Sequence, residues 1–408
     1  MEQLVQPFAD AQVFMGSVLV AQDGKVLFNK SYGSADLEWN IPNSPTTRFQ
    51  IASMTKQFTA ASILLLEERG KLKTDDLVRK YLPDAPASWD KITIYNLLTH
   101  TSGIAGDAAK YEPGTPERLT FRDKPLDFQP GERMSYSNTG YVVLGYLLER
   151  ISGQTYTDFI EENIFKPLGM NDSGLDSNVP IIPRRASGYS PGPDGIENAE
   201  RTNISGAFSA GAIYSTTEDL LRWEQGLFGG KVLTPAALRK MISPFKGDYA
   251  CGLYVKRVNG HLMIEHSGNG IGFNADMAYY PEDKLAVIVL ANLNGTVIHK
   301  IPEALAAVAH GESVSLPPPP KAITLSGGVL TRYAGTYQFT HYTVDLKPEG
   351  GRLIADFDDG ARIVFFAESE TRFFDKMWGI ELEFSNGENG GLYLTRYQEG
   401  RNETGKKK

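Results

Sequence analysis

Near the start of the chain, two apolar-rich runs, Phe14–Ala21 and Lys25–Tyr32, flank Asp23-Gly24. Asp-Gly between such runs is a strong type I′ turn signal and predicts a β-hairpin. From Ala52 to Gly70 the pattern changes: Phe58, Ala61, Ile63 and Leu64–Leu66 are apolar and Gly70 supplies a stop, which predicts a helix. A long polar, proline-bearing stretch follows, with shorter helices predicted over Tyr141–Ile151 and Glu218–Leu227. Strands are predicted at His261–Ser267, Asp276–Tyr280 and Leu285–Asn292, the last two joined across Pro281-Glu282-Asp283-Lys284. A helix around Ile301–Ala309 completes this part. Hairpins at both ends with helices between them predict an α+β fold, with helices packed on an antiparallel sheet.

The clearest break in the pattern is Leu316-Pro317-Pro318-Pro319-Pro320-Lys321. Four prolines fix φ and favour an extended, semi-rigid spacer. They divide the chain into a large domain over 1–315, a linker over 316–322 and a small domain over 323–408. In the small domain, short runs recur at near-regular spacing: Tyr333–Gln338, Tyr342–Leu346, Leu353–Phe357, Ile363–Ala367, Ile380–Phe384 and Leu392–Arg396. Each is bounded by Gly, Asp, Asn or charged residues, the pattern of a small antiparallel barrel or sandwich. Lys406–Lys408 is expected to be a solvated end rather than a binding patch.

Composition narrows the class. With 408 residues, the chain is long enough to bury about 75% of its unfolded surface without staples. A hydrophobic content of 41% and a charged content of 22% exclude a disordered or fibrous chain. The net charge of −8 shows none of the basic excess of a nucleic-acid binder, so no nucleic-acid partner is expected. A single cysteine, Cys251, excludes an intramolecular disulfide and any cysteine-based metal cluster. The longest apolar runs fall far short of the roughly 20 residues that span a bilayer, so no membrane span is expected. The segment MEQLVQPFAD has neither a basic start nor an apolar core, which predicts no signal peptide. The compartment is therefore expected to be cytoplasmic, or periplasmic or secreted if a signal peptide has been removed.

Three short motifs carry candidate chemistry. Ser53-Met54-Thr55-Lys56 opens the predicted Ala52–Gly70 helix, placing Ser53 and Lys56 one turn apart on one face. A buried, neutral Lys56 would be able to take the serine proton, and the helix N-terminus would favour negative charge on the oxygen. The alternative assignment for Ser53 is a helix cap. Two other Ser-x-x-Lys sequences, at Ser88–Lys91 and Ser243–Lys246, open no long apolar helix. Tyr136-Ser137-Asn138 precedes the Tyr141–Ile151 helix and is the only Tyr-x-Asn in the chain. A buried Tyr136 would shuttle a proton and Asn138 would donate to a substrate carbonyl, unless Ser137 or Asn138 simply caps the helix. His266-Ser267-Gly268-Asn269 ends an apolar strand and contains the only His-x-Gly. Gly268 would let a substrate backbone lie against the strand edge. The Asn269 N–H would complete an oxyanion hole with that of Ser53. A lone histidine such as His266 is more often structural than catalytic.

Taken together and in this order, Ser-x-x-Lys, Tyr-x-Asn and His/Lys-x-Gly resemble the signature of the penicillin-recognising serine hydrolases. The chain is similar in particular to the branch that joins class C β-lactamases, DD-carboxypeptidases, D-aminopeptidases and related esterases. Leu97–Gly103, Ser209-Ala210-Gly211 and Ser215–Leu220 look like further segments of that branch. The resemblance covers roughly residues 10–310. The tail, with Tyr333-Ala334-Gly335-Thr336-Tyr337, resembles the lipocalin-like barrel that follows this domain in some members.

The resemblance implies a β-lactamase/transpeptidase-like fold, an antiparallel sheet flanked by helices plus an all-helical region. It also implies an acyl-enzyme on Ser53, with Lys56 and Tyr136 sharing the general-base work and Tyr136 or His266 protonating the leaving group. Asn138, Ser267, Gly268 and Asn269 would hold the substrate. No metal or organic cofactor is implied, and the expected partner is a small molecule or short peptide, with homo-oligomerisation open. The histidine in the third motif makes an efficient β-lactamase less expected than an amidase or peptidase on short, often D-residue substrates. An esterase of short acyl chains, or a weak β-lactamase or penicillin-binding protein, is the rival, and a non-catalytic binding or scaffold protein is the alternative from another class. Ile104–Phe128 and Asn178–Phe208 are expected to line the cleft, while the tail either overhangs it or serves as a packing module.

Overall fold

The computed structural model describes the whole chain except residues 107–108, 112–118, 122, 193, 201–202, 315, 359, 388–389 and 399. The central element is a six-stranded antiparallel sheet. It comprises β1 (Gly16–Gln22), β2 (Lys25–Tyr32), β3 (Tyr254–Val258), β4 (His261–Gly270), β5 (Phe273–Tyr280) and β6 (Leu285–Ala291), in the order β3-β4-β5-β6-β1-β2. The sequence-distant strands β1 and β6 pair in the interior of the sheet, with Gly16 opposite Ala291 and Gln22 opposite Leu285. Every residue of β6 is buried because both faces of the sheet are covered. Leu285, Val287 and Val289 enter a core closed by α1 (Glu2–Asp10) and α5 (Val297–Ala309). Ala286, Ile288 and Leu290 enter the main core, shared with α2 (Thr55–Glu68), α3 (Asn138–Ser152) and α4 (Thr217–Phe228).

The predicted hairpin is present, and Asp23 and Gly24 both adopt positive φ, 49° and 77°, as a type I′ turn requires. The helix expected from Ala52 begins later, at Thr55, after a short 3₁₀ turn over Ala52–Met54. From Thr55 to Leu66 it is buried all round, so its apolar pattern has no polar face. The N-terminal helix Glu2–Asp10 is not among the predicted elements; its Leu4, Val5 and Phe8 share one apolar face, and Val5 and Phe8 are buried.

After Pro317–Pro320 the chain forms a closed barrel of eight antiparallel strands. Its strands are Gly335–Gln338, Thr343–Glu349, Arg352–Phe357, Arg362–Ala367, Arg372–Phe374, Glu381–Asn386, Leu392–Gln398 and Arg401–Lys407. Three features differ from the sequence expectation, the first being the short strand Arg372–Phe374, which no run predicted. Residues Gly327–Tyr333 form a helix, so the first strand starts only at Gly335. The last strand includes Lys406 and Lys407, which pair with Gln338 and Tyr337 to close the barrel. This end is therefore not free, because closure removes the exposed edges that an open sheet would carry. Its interior stacks Tyr333 on Phe384 at 3.9 Å between ring centres. The barrel meets the larger part where Gly379 packs against the Thr296 side chain and Arg352 pairs with Asp194 at 2.7 Å. Among the described residues no helix is long and apolar enough to cross a membrane.

Candidate active site

The turn that presents Ser53 is built under strain. Ile51 is anchored by its N–H donating to Ile213 O at 3.0 Å, and Ala52 then takes a positive φ of 44°. A residue with a Cβ pays for that conformation, and such strain persists where the surroundings impose it. Ser53 follows in the 3₁₀ turn, and α2 starts at Thr55 with Met54 in the cap position and no side-chain cap bond. The serine hydroxyl is thus free of the capping role considered for it.

Lys56, one turn along, is fully buried. Its Nζ lies 3.0 Å from Ser53 Oγ, 2.8 Å from Asn138 Oδ1 and 2.7 Å from the carbonyl oxygen of Ala210. Burial pulls the amine down from its ordinary 10.5 to about 7. A neutral amine has two hydrogens and one lone pair. Asn138 Oδ1 and Ala210 O can only accept, so they take the hydrogens and the lone pair is left facing the Ser53 hydroxyl.

Tyr136 closes over this pair, its ring centre 4.8 Å from Lys56 Nζ. The residue is 40% exposed, yet burial around its phenol oxygen pushes the group well above its usual range, with a hydrogen bond to Ser53 acting against the rise. Asn138 faces outward at the first position of α3. The cap is Ser137, whose hydroxyl accepts from the Gly140 N–H at 3.2 Å. Cap and motif therefore coexist, on adjacent residues.

The third motif comes to the same place through backbone packing. Strand β3 pairs only with His261–Glu265, so on that side His266–Gly270 is flanked instead by the Ala52–Met54 turn. A Cβ on Gly268 would sit 2.1 Å from Ile51 O and 3.2 Å from Ser53 N. The glycine is needed for this approach of strand to nucleophile turn; the space it opens is filled by the protein's own backbone, not by a substrate as expected. Asn269 is exposed, its side-chain oxygen accepting from Asn274 Nδ2 at 2.5 Å. Buried His266 points away from solvent, with Nδ1 2.6 Å from Ser267 O and Nε2 3.4 Å from the Tyr249 hydroxyl. Burial first, and then the nearby Lys56, lower this imidazole to about 3, so it is neutral.

A sequence profile of the Beta-lactamase family matches residues 1–310. The chain belongs to that family. Over 99% of this chain and 97% of the other it is 29% identical to "Penicillin-binding protein 4*" of Bacillus subtilis. The octameric penicillin-binding protein homologue of Pyrococcus abyssi is 25% identical, covers 99% of this chain and 98% of its own, and superposes with a TM-score of 0.67. A D-stereospecific amidohydrolase from Streptomyces sp. is 26% identical over 72% of this chain and 93% of its own, with a TM-score of 0.59.

As a serine hydrolase of the Beta-lactamase family, the protein also uses residues that motif reading passed over. Ala210 belongs to a segment noticed only for its resemblance, and it supplies a carbonyl to Lys56. His100 lies in Leu97–Gly103 and packs against Tyr136, the ring centres 4.3 Å apart and the planes tilted by 39°. Tyr249 had no sequence signal at all. Parts of the predicted cleft segments, 107–108, 112–118, 122, 193 and 201–202, lie outside the described residues. Among the described residues one group of metal-binding types gathers elsewhere: His261, Asp283 and His310. The two imidazole rings are parallel, 3.8 Å apart and within 2° of coplanar orientation, so no single ion lies in both ring planes. With Asp283 3.1 Å from His310 Nε2 but out of line for a hydrogen bond, this group ties the end of α5 to the β5–β6 turn.

Proposed function

We propose that the protein is an amidase or peptidase of short peptides or amides, D-residue substrates among them, working through an acyl-enzyme on Ser53. The observation that carries this reading is the buried Lys56 amine, its lone pair directed at the Ser53 hydroxyl 3.0 Å away. As Ser53 Oγ attacks the carbonyl carbon, Lys56 takes its proton and becomes the ammonium. The backbone N–H groups of Ser53 and Asn269 receive the developing oxyanion. An amine leaves only once its nitrogen is protonated, and Tyr136, whose buried phenol stays neutral, is suited to pass the proton on. This orders the two candidate bases: Lys56 accepts first and Tyr136 relays. Asn138, with its oxygen engaged by Lys56, has its amide hydrogens left for the substrate carbonyl. After the amine departs, water enters by the same route in reverse. His266, neutral and with both nitrogens engaged, positions Ser267 rather than donating a proton.

The likeness to a D-stereospecific amidohydrolase supports an amide substrate, and short esters and β-lactams share the acylation step. A panel of D- and L-alanyl anilides, a D-Ala-D-Ala peptide, p-nitrophenyl butyrate and a chromogenic cephalosporin tests the ranking. The expected result is amide turnover with D preference. Ester turnover with no amide cleavage overturns it. A labelled penicillin should leave a mass adduct on Ser53 and none on Ser53→Ala.

A further inference from the structure

Beneath Tyr136 runs a buried line of polar contacts that the reaction itself does not use. Ser137, between the two functional residues of the second motif, donates its backbone N–H to His100 Nδ1 at 3.0 Å. His100 Nε2 lies 3.1 Å from the Tyr249 hydroxyl. On the other side of that hydroxyl, at 3.4 Å, is His266 Nε2, and His266 Nδ1 ends the line 2.6 Å from Ser267 O. His100, Tyr249 and His266 are each no more than 2% exposed, so water does not replace these contacts.

The two ends dictate the protons. A backbone N–H can only donate, so His100 Nδ1 accepts and, the ring being neutral, its hydrogen is on Nε2. A carbonyl can only accept, so His266 carries its hydrogen on Nδ1 and presents a lone pair at Nε2. The two rings are therefore opposite tautomers, and they offer one N–H and one lone pair to the same point. Only a group that accepts and donates at once satisfies both, and a hydroxyl is such a group. The Tyr141 hydroxyl also lies beside Tyr249; its own hydrogen goes to Leu98 O at 2.7 Å, which leaves its oxygen as a second acceptor for the Tyr249 hydrogen alongside His266 Nε2.

We infer that Tyr249, which lies in none of the three motifs, is a positioning residue that locks the Tyr136–Asn138 segment to the His266–Asn269 strand through His100 and His266 as opposite neutral tautomers. The inference rests on the hydrolase reading above for its consequence and on geometry alone for its arrangement. The consequence is twofold. Tyr136 and Asn138 are held in register with the strand that packs on Ser53. Both imidazoles are kept uncharged beside Lys56, so that no second cation opposes the proton Lys56 must accept.

Two measurements on the full chain test it. Long-range ¹H–¹⁵N spectra of histidine-labelled protein should show His100 as the Nε2–H form and His266 as the Nδ1–H form, both neutral from about pH 5 to 8. A reversed tautomer on either ring, or an imidazolium at about pH 6, overturns the arrangement, whatever the substrate proves to be. In single-turnover labelling with penicillin, Tyr249→Phe should acylate about 10- to 100-fold more slowly than wild type. Its half-saturating penicillin concentration should stay within about threefold of wild type, because the misplaced groups act on the reacting centre rather than on binding. Acylation at the wild-type rate overturns the positioning role. Wild-type protein that leaves no adduct on Ser53 refutes the hydrolase reading instead, and the spectra still judge the arrangement, including where the Phe variant does not fold.

Discussion

Replacing Lys56 by methionine separates what the buried amine does for chemistry from what it costs the fold. With its pKa lowered from 10.5 to about 7, half of the folded protein holds a neutral Lys56 at pH 7. An ordinary lysine would be neutral in only about one molecule in three thousand, so burial raises the population of competent base about 1,500-fold. kcat/KM should accordingly rise through an apparent pKa near 7 and level off above it. Lys56→Met should remove most of the rate, on the order of 10³–10⁶-fold.

The same shift bears on stability. The folded-state pKa lies below the unfolded one, so the unfolded chain binds the extra proton and wild-type stability rises with pH between about 7 and 10.5. The contribution is complete above the unfolded value and is lost as pH falls through about 7. Working the linkage through, the stability of wild type relative to Lys56→Met should climb by about 2–3 kcal/mol from pH 6 to pH 9. Denaturant unfolding of both proteins at several pH values measures this difference directly, free of the constant loss of three hydrogen bonds. Parallel stability curves across that range would show that Lys56 titrates as an ordinary lysine, and the argument for it as base would fail.

Two further predictions test other parts of the structure. Gly268→Ala places a methyl group 2.1 Å from Ile51 O, backbone against backbone, so the strand or the nucleophile turn must shift. It should destabilise the protein by about 1–3 kcal/mol and suppress penicillin labelling, and labelling at the wild-type rate would show that the close approach does not matter. Glu224 is fully buried on α4 with neither carboxyl oxygen hydrogen-bonded among the described residues, and burial raises its pKa well above 4.5. Its folded pKa exceeds the unfolded one, so its contribution is complete below 4.5 and is lost as pH rises. Stability of Glu224→Gln relative to wild type should therefore increase with pH above about 4.5, and a pH-independent difference would contradict the assignment.

How much of this was readable in the chain follows from the range of the forces involved. The Asp23-Gly24 hairpin, the apolar strand Leu285–Ala291 and the helix after Ser137 depend on residues within a few positions of one another. Turn chemistry, side-chain alternation and capping are local, so neighbouring residues are enough to specify them, along with the order of the three motifs. Six of the eight barrel strands were legible for the same reason, the three-residue strand Arg372–Phe374 being too short to show an alternation. The final strand at Arg401–Lys407 was not: it pairs along its length with Leu392–Gln398 and closes the barrel on Tyr337 and Gln338, but its charged, polar sequence carries no apolar alternation.

The state of the groups at the site comes from packing between segments far apart in the chain. Lys56 is an ordinary lysine until α2 is buried on all sides, and desolvation, the cause of its lowered pKa, is a property of the packed core rather than of neighbouring letters. Gly268 acquires its purpose only when β4 meets a turn more than two hundred residues away in the chain. Tyr249 matters because two histidines from separate segments converge on it with complementary protons. Residue types and their order can be written locally, but proton positions and close backbone contacts exist only once long-range packing has excluded water.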